Sequence, residues 1–381
     1  MFRAYKYRIY PNITQKELIA KHIGSSRFVY NLALETKNTA YLGSKHNFSP
    51  FDLIKQLPEL KNECEWLKEV NSQSLQQSIQ NMDIAFKKFF KGAGFLKFKS
   101  KHRGKQSFSV PQSVFVENSL LSIPKFREGI KIVLHRPIIG NIKSATISVT
   151  PTGKHFASIL VDTKKEYPTK TAIAESTCIG IDLGIKDFAI TSDGEVFENP
   201  KYLRKAQSKL KYLQRKQSKY KGTKTKHNLA ILHEVVVNKR KDFLHKLSTK
   251  LIRENQTIAI EDLNVSGMVK NHKLAQSISD VSWSSFVAML EYKAKWNGKN
   301  IIKIGRFAPS SKTCSCCGNI NNDLTLNDRE WTCTNCNSCH DRDINAAINI
   351  KSFALKKTLS GTDRKIQKEL PTLVGALTSE A

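Results

Sequence analysis

Between Ser310 and Ile350 the chain reads S-S-K-T-C-S-C-C-G, a polar stretch, W-T-C-T-N-C, and then H-D-R-D-I-N-A-A-I-N-I. Two C-x-x-C pairs constrain the fold more tightly than anything else in the sequence. Each pair lets two thiolates face one ion, and Cys314, Cys317, Cys333 and Cys336 together complete a tetrahedron with sulfur–metal arms of about 2.3 Å. Gly318 follows the first pair, where a tight turn needs a backbone free in φ. The expected occupant is structural zinc. Four protein ligands close the site, so this zinc is not expected to catalyse. Cys316 and Cys339 are spare: Cys316 can compete with Cys317, and Cys339 can replace Cys336, so the ligand set stays open there. Directly after the clip, Asp343 opens an apolar helix, which suggests that the clip positions an acid.

Six of the eight cysteines fall between Cys314 and Cys339, with Cys64 and Cys178 apart. In a reducing compartment this clustering favours metal over disulfides. Lysine plus arginine number 62 against 33 acids, a net charge of +29. That charge repels itself in a compact fold and calls for a polyanionic partner, chiefly nucleic acid. A merely soluble or ribosomal-type basic protein is the plainer alternative. The 381 residues, 40% of them hydrophobic, suffice for two or three domains with ordinary cores. No apolar run approaches the roughly 18–20 residues that span a bilayer, and the opening M-F-R-A-Y-K-Y-R-I-Y-P lacks a signal segment. The expectation is a cytoplasmic protein with no membrane partner.

Residues 1–10 alternate as a strand ending at Pro11. Thr14 and Glu17 read as a capping box, opening a helix that continues or restarts after Gly24. Further helices are expected after Ser49-Pro50 and from Ser72 to near Phe90, so residues 12–91 form a helical domain. Beyond Gly92, Lys97, Lys99, Lys101, Arg103 and Lys105 alternate as on one side of a strand or ribbon. Such spacing can track a phosphate backbone, or it keeps an ordinary edge strand charged. Short strands through residue 165 suggest a β-barrel joined by the first strand, a domain of residues 1–11 and 92–170. Then come apolar strands around Leu183-Gly184 with a hairpin turn at Ser192-Asp193-Gly194, a lysine-rich helical tract over 200–255, and a buried strand I-A-I-E-D-L-N-V. A loop over 266–280, a helix, and the strand I-I-K-I at 301–304 follow. Residues 357–381 read as a mobile tail.

Three acids mark this second half. Asp182 ends an apolar strand, Glu261 ends the next buried one, and Asp343 begins the last helix. Three strands with an early acid, a helical region, a strand with an acid, a helix, a strand, and a helix with an acid is the RNase H-like order. In such a sheet the first and fourth strands are neighbours, so Asp182 and Glu261 would converge and the last helix would add Asp343. Three carboxylates repel unless cations share them. Two Mg²⁺ ions would satisfy them and support in-line phosphodiester cleavage. Each acid also has a plain reading: Asp182 as a turn former, Asp262 in place of Glu261 on the opposite face, and Asp343 as a cap with Asp341 the ligand. The joint order favours the triad. Asn345 is a candidate for positioning metal or substrate, and Arg329 or Arg342 for stabilising phosphate charge.

These residues carry a family resemblance that spans nearly the whole chain. Y-K-Y-R-I-Y-P, G-S-S-R-F-V-Y-N, E-W-L-K-E-V-N-S-Q-S-L-Q-Q and F-L-K-F-K-S-K resemble the amino-terminal segments of TnpB, the OrfB-type protein of bacterial and archaeal insertion sequences. G-I-D-L-G-I-K-D-F-A, I-E-D-L-N-V, S-S-K-T-C-S-C-C-G, W-T-C and H-D-R-D-I-N-A-A-I-N-I resemble its nuclease and zinc motifs. The resemblance implies an α+β multidomain fold: a RuvC-type nuclease core (177–309 and 341–356), an inserted zinc ribbon (310–340), a helical recognition domain and a wedge-like barrel. It implies RNA-guided DNA cleavage, with Asp182, Glu261 and Asp343 at the acidic positions and the four cysteines at the zinc positions. The implied partners are a noncoding guide RNA, target duplex DNA and its displaced strand, and a monomer is favoured. Gln73 and Gln77 fall near where relatives read the adjacent DNA motif, and their amides suit base-edge hydrogen bonds, but a solvent-facing polar stripe is the favoured reading of the pair. DNA strand transfer on the same core, or non-cleaving repression, are the rival functions.

Overall fold

The computed structural model describes residues 1–359 except Arg103 and Leu326. The chain divides into two compact units, one from Met1 to Glu166 and one from Tyr167 onward.

The first unit runs β1 (Phe2–Tyr10), α1 (Ile13–Ser44), α2 (Pro50–Lys55), α3 (Leu57–Glu63), α4 (Ser72–Phe89), β2 (Gln106–Val110), β3 (Phe115–Glu117), β4 (Leu120–Ile123), β5 (Phe126–Val133), β6 (Asn141–Val149) and β7 (His155–Asp162). Its strands form one antiparallel sheet in the order β2-β6-β7-β1-β5-β4-β3. Along β1 the side chains alternate, with Tyr5, Tyr7 and Ile9 buried and Lys6 and Tyr10 exposed, the period of a strand with one wet face. β7 pairs with β1 from Phe2 to Ile9, whereas β5 takes only Arg8 to Tyr10, so the sheet curls at β1. Its inner face closes over Ile130, Ile147 and Val161, joined by Ile19 and Ile23 of α1. The far half of α1, through Val29 and Leu34, packs with Leu75, Ile79 and Met82 of α4.

Two expectations fail here. The box that opens α1 is Asn12 with Gln15, not Thr14 with Glu17: Asn12 accepts from the Gln15 amide and Gln15 accepts from the Asn12 amide. Asparagine is the stronger cap, and the Gln15 amide group also reaches Gly129 O at 2.7 Å. The basic run from Lys97 is not a strand. Asn31 takes both backbone polar groups of Lys99, at 2.8 and 3.0 Å, which removes that residue from any ladder. Arg103 lies outside the described residues.

The second unit holds β8 (Cys178–Asp182), β9 (Asp187–Thr191), β10 (Val196–Glu198), α5 (Tyr202–Tyr220), α6 (Thr223–Glu254), β11 (Thr257–Glu261), α7 (Val265–Met268), α8 (Ala275–Val281), α9 (Trp283–Asn297), β12 (Asn300–Ile304), β13 (Glu330–Thr332), β14 (Cys339–Asp341) and α10 (Arg342–Leu359). Five strands order as β10-β9-β8-β11-β12, with β8, β11 and β12 parallel. β8 and β11 are buried at every position but the last, as strands covered on both faces must be. Leu247 and Leu251 of α6 and Phe286 and Leu290 of α9 pack one core of this unit with Ile181 and Phe188. Ile350 and Ala354 of α10 form another with Ala259 and Ile302. The stretch 266–280, expected as loop, carries the short helices α7, capped by Asn264, which accepts from the Gly267 amide, and α8, where Ile278 and Val281, three residues apart, are both buried. Helix α10 runs to Leu359, past the expected boundary at 356; the rest of the expected tail lies outside the described residues.

Candidate functional site

The two cysteine knuckles fold alike. The Gly318 amide donates to Cys314 O and the Asn337 amide to Cys333 O, both at 2.9 Å. Gly318 and Asn337 sit at positive φ, 79° and 56°, so the glycine is needed and asparagine is its best substitute. The four sulfurs of Cys314, Cys317, Cys333 and Cys336 all lie within 4.8 Å of one another, with Cys314–Cys336 and Cys317–Cys333 at 3.6 Å. This cluster can hold a structural metal ion. Cys314 and Cys333 are buried; Cys317 and Cys336 are exposed. Burial pushes the Cys314 thiol up to about 12, whereas hydrogen bonds from Asn335 and the Asn319 backbone pull Cys317 down to about 6.

Of the spare cysteines, Cys316 forms a second, overlapping group with Cys314 and His340, while Cys339 joins neither group among the described residues. No sequence spacing marks His340 out. Its Nε2 is 3.1 Å from Cys314 Sγ and its ring lies 4.9 Å from that of Trp331. From there His340 can orient the Cys314 sulfur by hydrogen bonding or, with Cys316, join it around an ion.

The three acids come from three elements. Ile181 pairs with Ile260 in register, so Asp182 and Glu261 stand at the same end of adjacent parallel strands. Asp343 enters the first turn of α10. Helix α10 can lie directly on β8 because position 180 is glycine: a Cβ there would meet Ala347 O at 2.1 Å. Burial first, then the charges of Glu261 and Asp343, raise Asp182 to about 7, and Arg342 only partly offsets them. The carboxylates are less tightly drawn than the sulfurs, since they do not form a three-acid group within 4.8 Å among the described residues. Like charges hold one another apart.

The neighbours assign further parts. Glu261 accepts from Ser310 Oγ at 2.6 Å, while Asp262 points elsewhere and pairs with Arg306 at 3.4 Å. Asp341 is the cap of α10, accepting from the amides of Asp343 and Ile344 at 3.0 and 2.9 Å. Asp343 instead meets Arg329 Nη1 at 3.0 Å. Asn345 does not face the acids: it is buried, donates to Thr313 O at 2.8 Å and accepts from the Ser315 amide at 2.9 Å. One turn on, Asn349 donates to Ser310 O and Thr313 O at 2.8 and 2.6 Å. The two asparagines staple α10 to the first knuckle.

The expected nucleic-acid residues of the first unit are dispersed. Gln73 and Gln77 are half-buried on α4; Gln73 reaches Gln112 at 3.4 Å and Gln77 reaches Asn81 at 3.3 Å. Lys97 and Lys101 are exposed on an irregular segment, and the Lys99 ammonium sits 3.8 Å from the Tyr30 ring centroid.

Family models match three parts of the chain: a "Helix-turn-helix domain" of OrfB_IS605 type at 1–45, the OrfB_IS605 "Probable transposase" at 158–272, and a "Cas12f1-like, TNB domain" at 283–350. A candidate RNA-guided DNA endonuclease of Streptomyces pristinaespiralis is 39% identical, covering 96% of this chain and 93% of that one. InsQ of Escherichia coli K12, named in the same way, is 31% identical over 91% of each. The solved Cas12f1–sgRNA–target DNA complex aligns over 92% of this chain and 99% of that one, at 16% identity and a TM-score of 0.37. No helix among the described residues is long and apolar enough to cross a membrane. With its nearly full-length likeness to the Streptomyces protein and its OrfB_IS605 match, the chain belongs to the TnpB family, the OrfB-type proteins related to type V CRISPR effectors.

Proposed function

We propose that this protein is an RNA-guided DNA endonuclease that cleaves target DNA beside a short adjacent motif by two-metal phosphodiester hydrolysis. On this reading the second unit is a RuvC-type, RNase H-like core with a zinc ribbon inserted at 310–340. The first unit combines a wedge-like barrel with a helical recognition domain. The observation that carries the proposal is the field around Asp182, raised by Glu261 and Asp343 as well as by burial. Three acids in one field are costly unless cations share them, and an all-oxygen donor set suits Mg²⁺. Bound there, Mg²⁺ would supply Lewis acidity toward the attacking water and the leaving oxygen. Asp182, Glu261 and Asp343 would hold it. Ser310 fixes the rotamer of Glu261, Asp341 takes the capping role and so leaves the Asp343 carboxylate out of the cap, and Arg329, paired with Asp343, sets a guanidinium where phosphate charge would arrive.

Zinc is the proposed occupant of the four cysteines. A tetrahedron with 2.3 Å arms has edges of about 3.8 Å, close to the two 3.6 Å sulfur separations. The net charge of +29 and the names of the relatives support a guide RNA and target DNA as partners.

The test is to sequence the RNA that copurifies with the protein, then assay guided cleavage with Mg²⁺ on targets with randomised flanks. Asp182→Ala, Glu261→Ala and Asp343→Ala should each abolish cleavage while RNA is retained. Cleavage that survives these changes, or no cleavage with any copurified guide and flank, would sink the proposal.

A further inference from the structure

The most concentrated charge in the chain has no part in the site above. From Lys201 to Lys226 there are eleven lysines or arginines and no acid. Seven of them lie on α5, between Arg204 and Lys219, and all seven are exposed. At 3.6 residues per turn they fall, with Tyr212 and Tyr220, on about half of the helix circumference and along about 22 Å of its length. The opposite side carries the buried Leu210 and Leu213 and packs along α6. The start of α5 is anchored: the Leu203 amide donates to both Asp280 oxygens at 3.2 and 3.1 Å, and Arg240 holds Asp280 at 2.8 Å. The basic face is therefore carried on a fixed rod.

Tyr212 and Tyr220 are 61% and 63% exposed, each beside a lysine of the same face, Lys216 at 6.0 Å and Lys219 at 5.2 Å from the ring centroids. Exposed rings set among cations offer stacking platforms within a phosphate-binding track. A duplex keeps its bases stacked on one another, so open rings find base faces only on a single strand.

We infer that this face of α5 binds a single-stranded stretch of the guide RNA, with its lysines and arginines on phosphates and Tyr212 and Tyr220 stacked on bases. The inference rests on the proposed function. Seven like charges repel one another whenever the face is empty, and helix α5 has no acid to offset them. A guide bound throughout the working cycle removes that repulsion permanently, whereas a displaced DNA strand removes it only during a cleavage event.

The test uses full-length protein carrying its copurified RNA. Ultraviolet crosslinking before any DNA is added should place RNA adducts on peptides containing Tyr212 or Tyr220. Replacing Arg204, Lys211, Arg215 and Lys219 by Gln should lower the slope of log Kobs for RNA against log salt by about 2.8, at about 0.7 per phosphate contact on a single strand. Tyr212→Ala with Tyr220→Ala should weaken RNA binding about tenfold per ring with the slope unchanged. Every replaced side chain is exposed, so both variants should melt with the parent. Lys→Arg at 209, 211, 216 and 219 should preserve the slope. An unchanged slope in the Gln variant, or adducts that appear only with DNA, overturns the inference. If RNA copurifies without touching α5, this inference alone falls; if no RNA copurifies, the proposed function falls with it.

Discussion

Asp182→Asn removes one charge from the acidic cluster while nearly preserving shape. A carboxyl whose folded pKa lies above its unfolded one binds more protons when folded. Its ionised form therefore costs stability as pH rises from the ordinary 3.8 toward about 7. At 1.36 kcal/mol per pKa unit that rise corresponds to about 4 kcal/mol, and the solvent that half-buried Asp182 retains reduces it to about 2 kcal/mol. At about 2–4 °C per kcal/mol for a unit of this size, the Asn variant should melt about 4–8 °C above the parent at pH 8 in EDTA. The gap should narrow as pH falls from 7 to 5, because the parent's Asp182 then protonates. Millimolar Mg²⁺ should reverse the order, since only the parent keeps all three of the proposed ligands and gains by mass action. Thermal melts between pH 5 and 8, in EDTA and in Mg²⁺, measure all of this. A variant no more stable than the parent at pH 8 in EDTA, or a gap independent of pH, would refute the reasoning.

Gly180→Ala should drive a methyl into the Ala347 carbonyl at 2.1 Å, costing about 3 kcal/mol and about 6–12 °C in melting temperature; an unchanged melt would mean that α10 does not lie on β8. Cys333→Ser should take bound zinc from one per chain toward none, read by elemental analysis, whereas Cys339→Ser should leave it intact. Ser310→Ala removes the 2.6 Å bond to Glu261 and should lower Mg²⁺ affinity or cleavage about tenfold without loss of RNA, measured as cleavage against Mg²⁺ concentration.

The candidate site was legible where chemistry alone determines residue type. Paired thiols at two-residue spacing announce a metal clip without reference to the fold, and an acid ending a buried apolar strand is conspicuous at Asp182 and Glu261. Residues whose role depends on what lies across a gap were not legible. Gly180 matters through Ala347, distant in sequence, and Asn349 through the carbonyls of Ser310 and Thr313. Asn345 invited a catalytic reading because its type fits one, yet its partners are backbone. Which of Asp341 and Asp343 caps the helix is visible only in the amides that Asp341 accepts from. The same limit explains the run from Lys97. Alternation suggested a strand, but Asn31, 68 residues away, occupies the backbone groups that a strand would use.

These contacts make the cysteine clip a clamp on Asp343. The first knuckle is tied to α10 through four hydrogen bonds of Asn345 and Asn349. On either side of the second knuckle, β13 and β14 pair Trp331 with His340 and Glu330 with Asp341. The Arg342 amide then donates to Arg329 O at 2.7 Å, and Arg329 pairs with Asp343 itself. Both arms of the clip thus reach the first turns of one helix. A four-thiolate site is worth about 10–16 kcal/mol, whereas each hydrogen bond contributes about 1 kcal/mol. A metal bound there would therefore hold a polar, core-poor segment in one geometry that its few buried residues, Leu324 and Trp331 beside the cysteines, would not hold alone. The connection from such a metal to the acids would run through backbone and asparagine rather than through any shared ligand. Disturbing the metal should thus displace Asp343 while Asp182 and Glu261, fixed by the sheet, stay where they are.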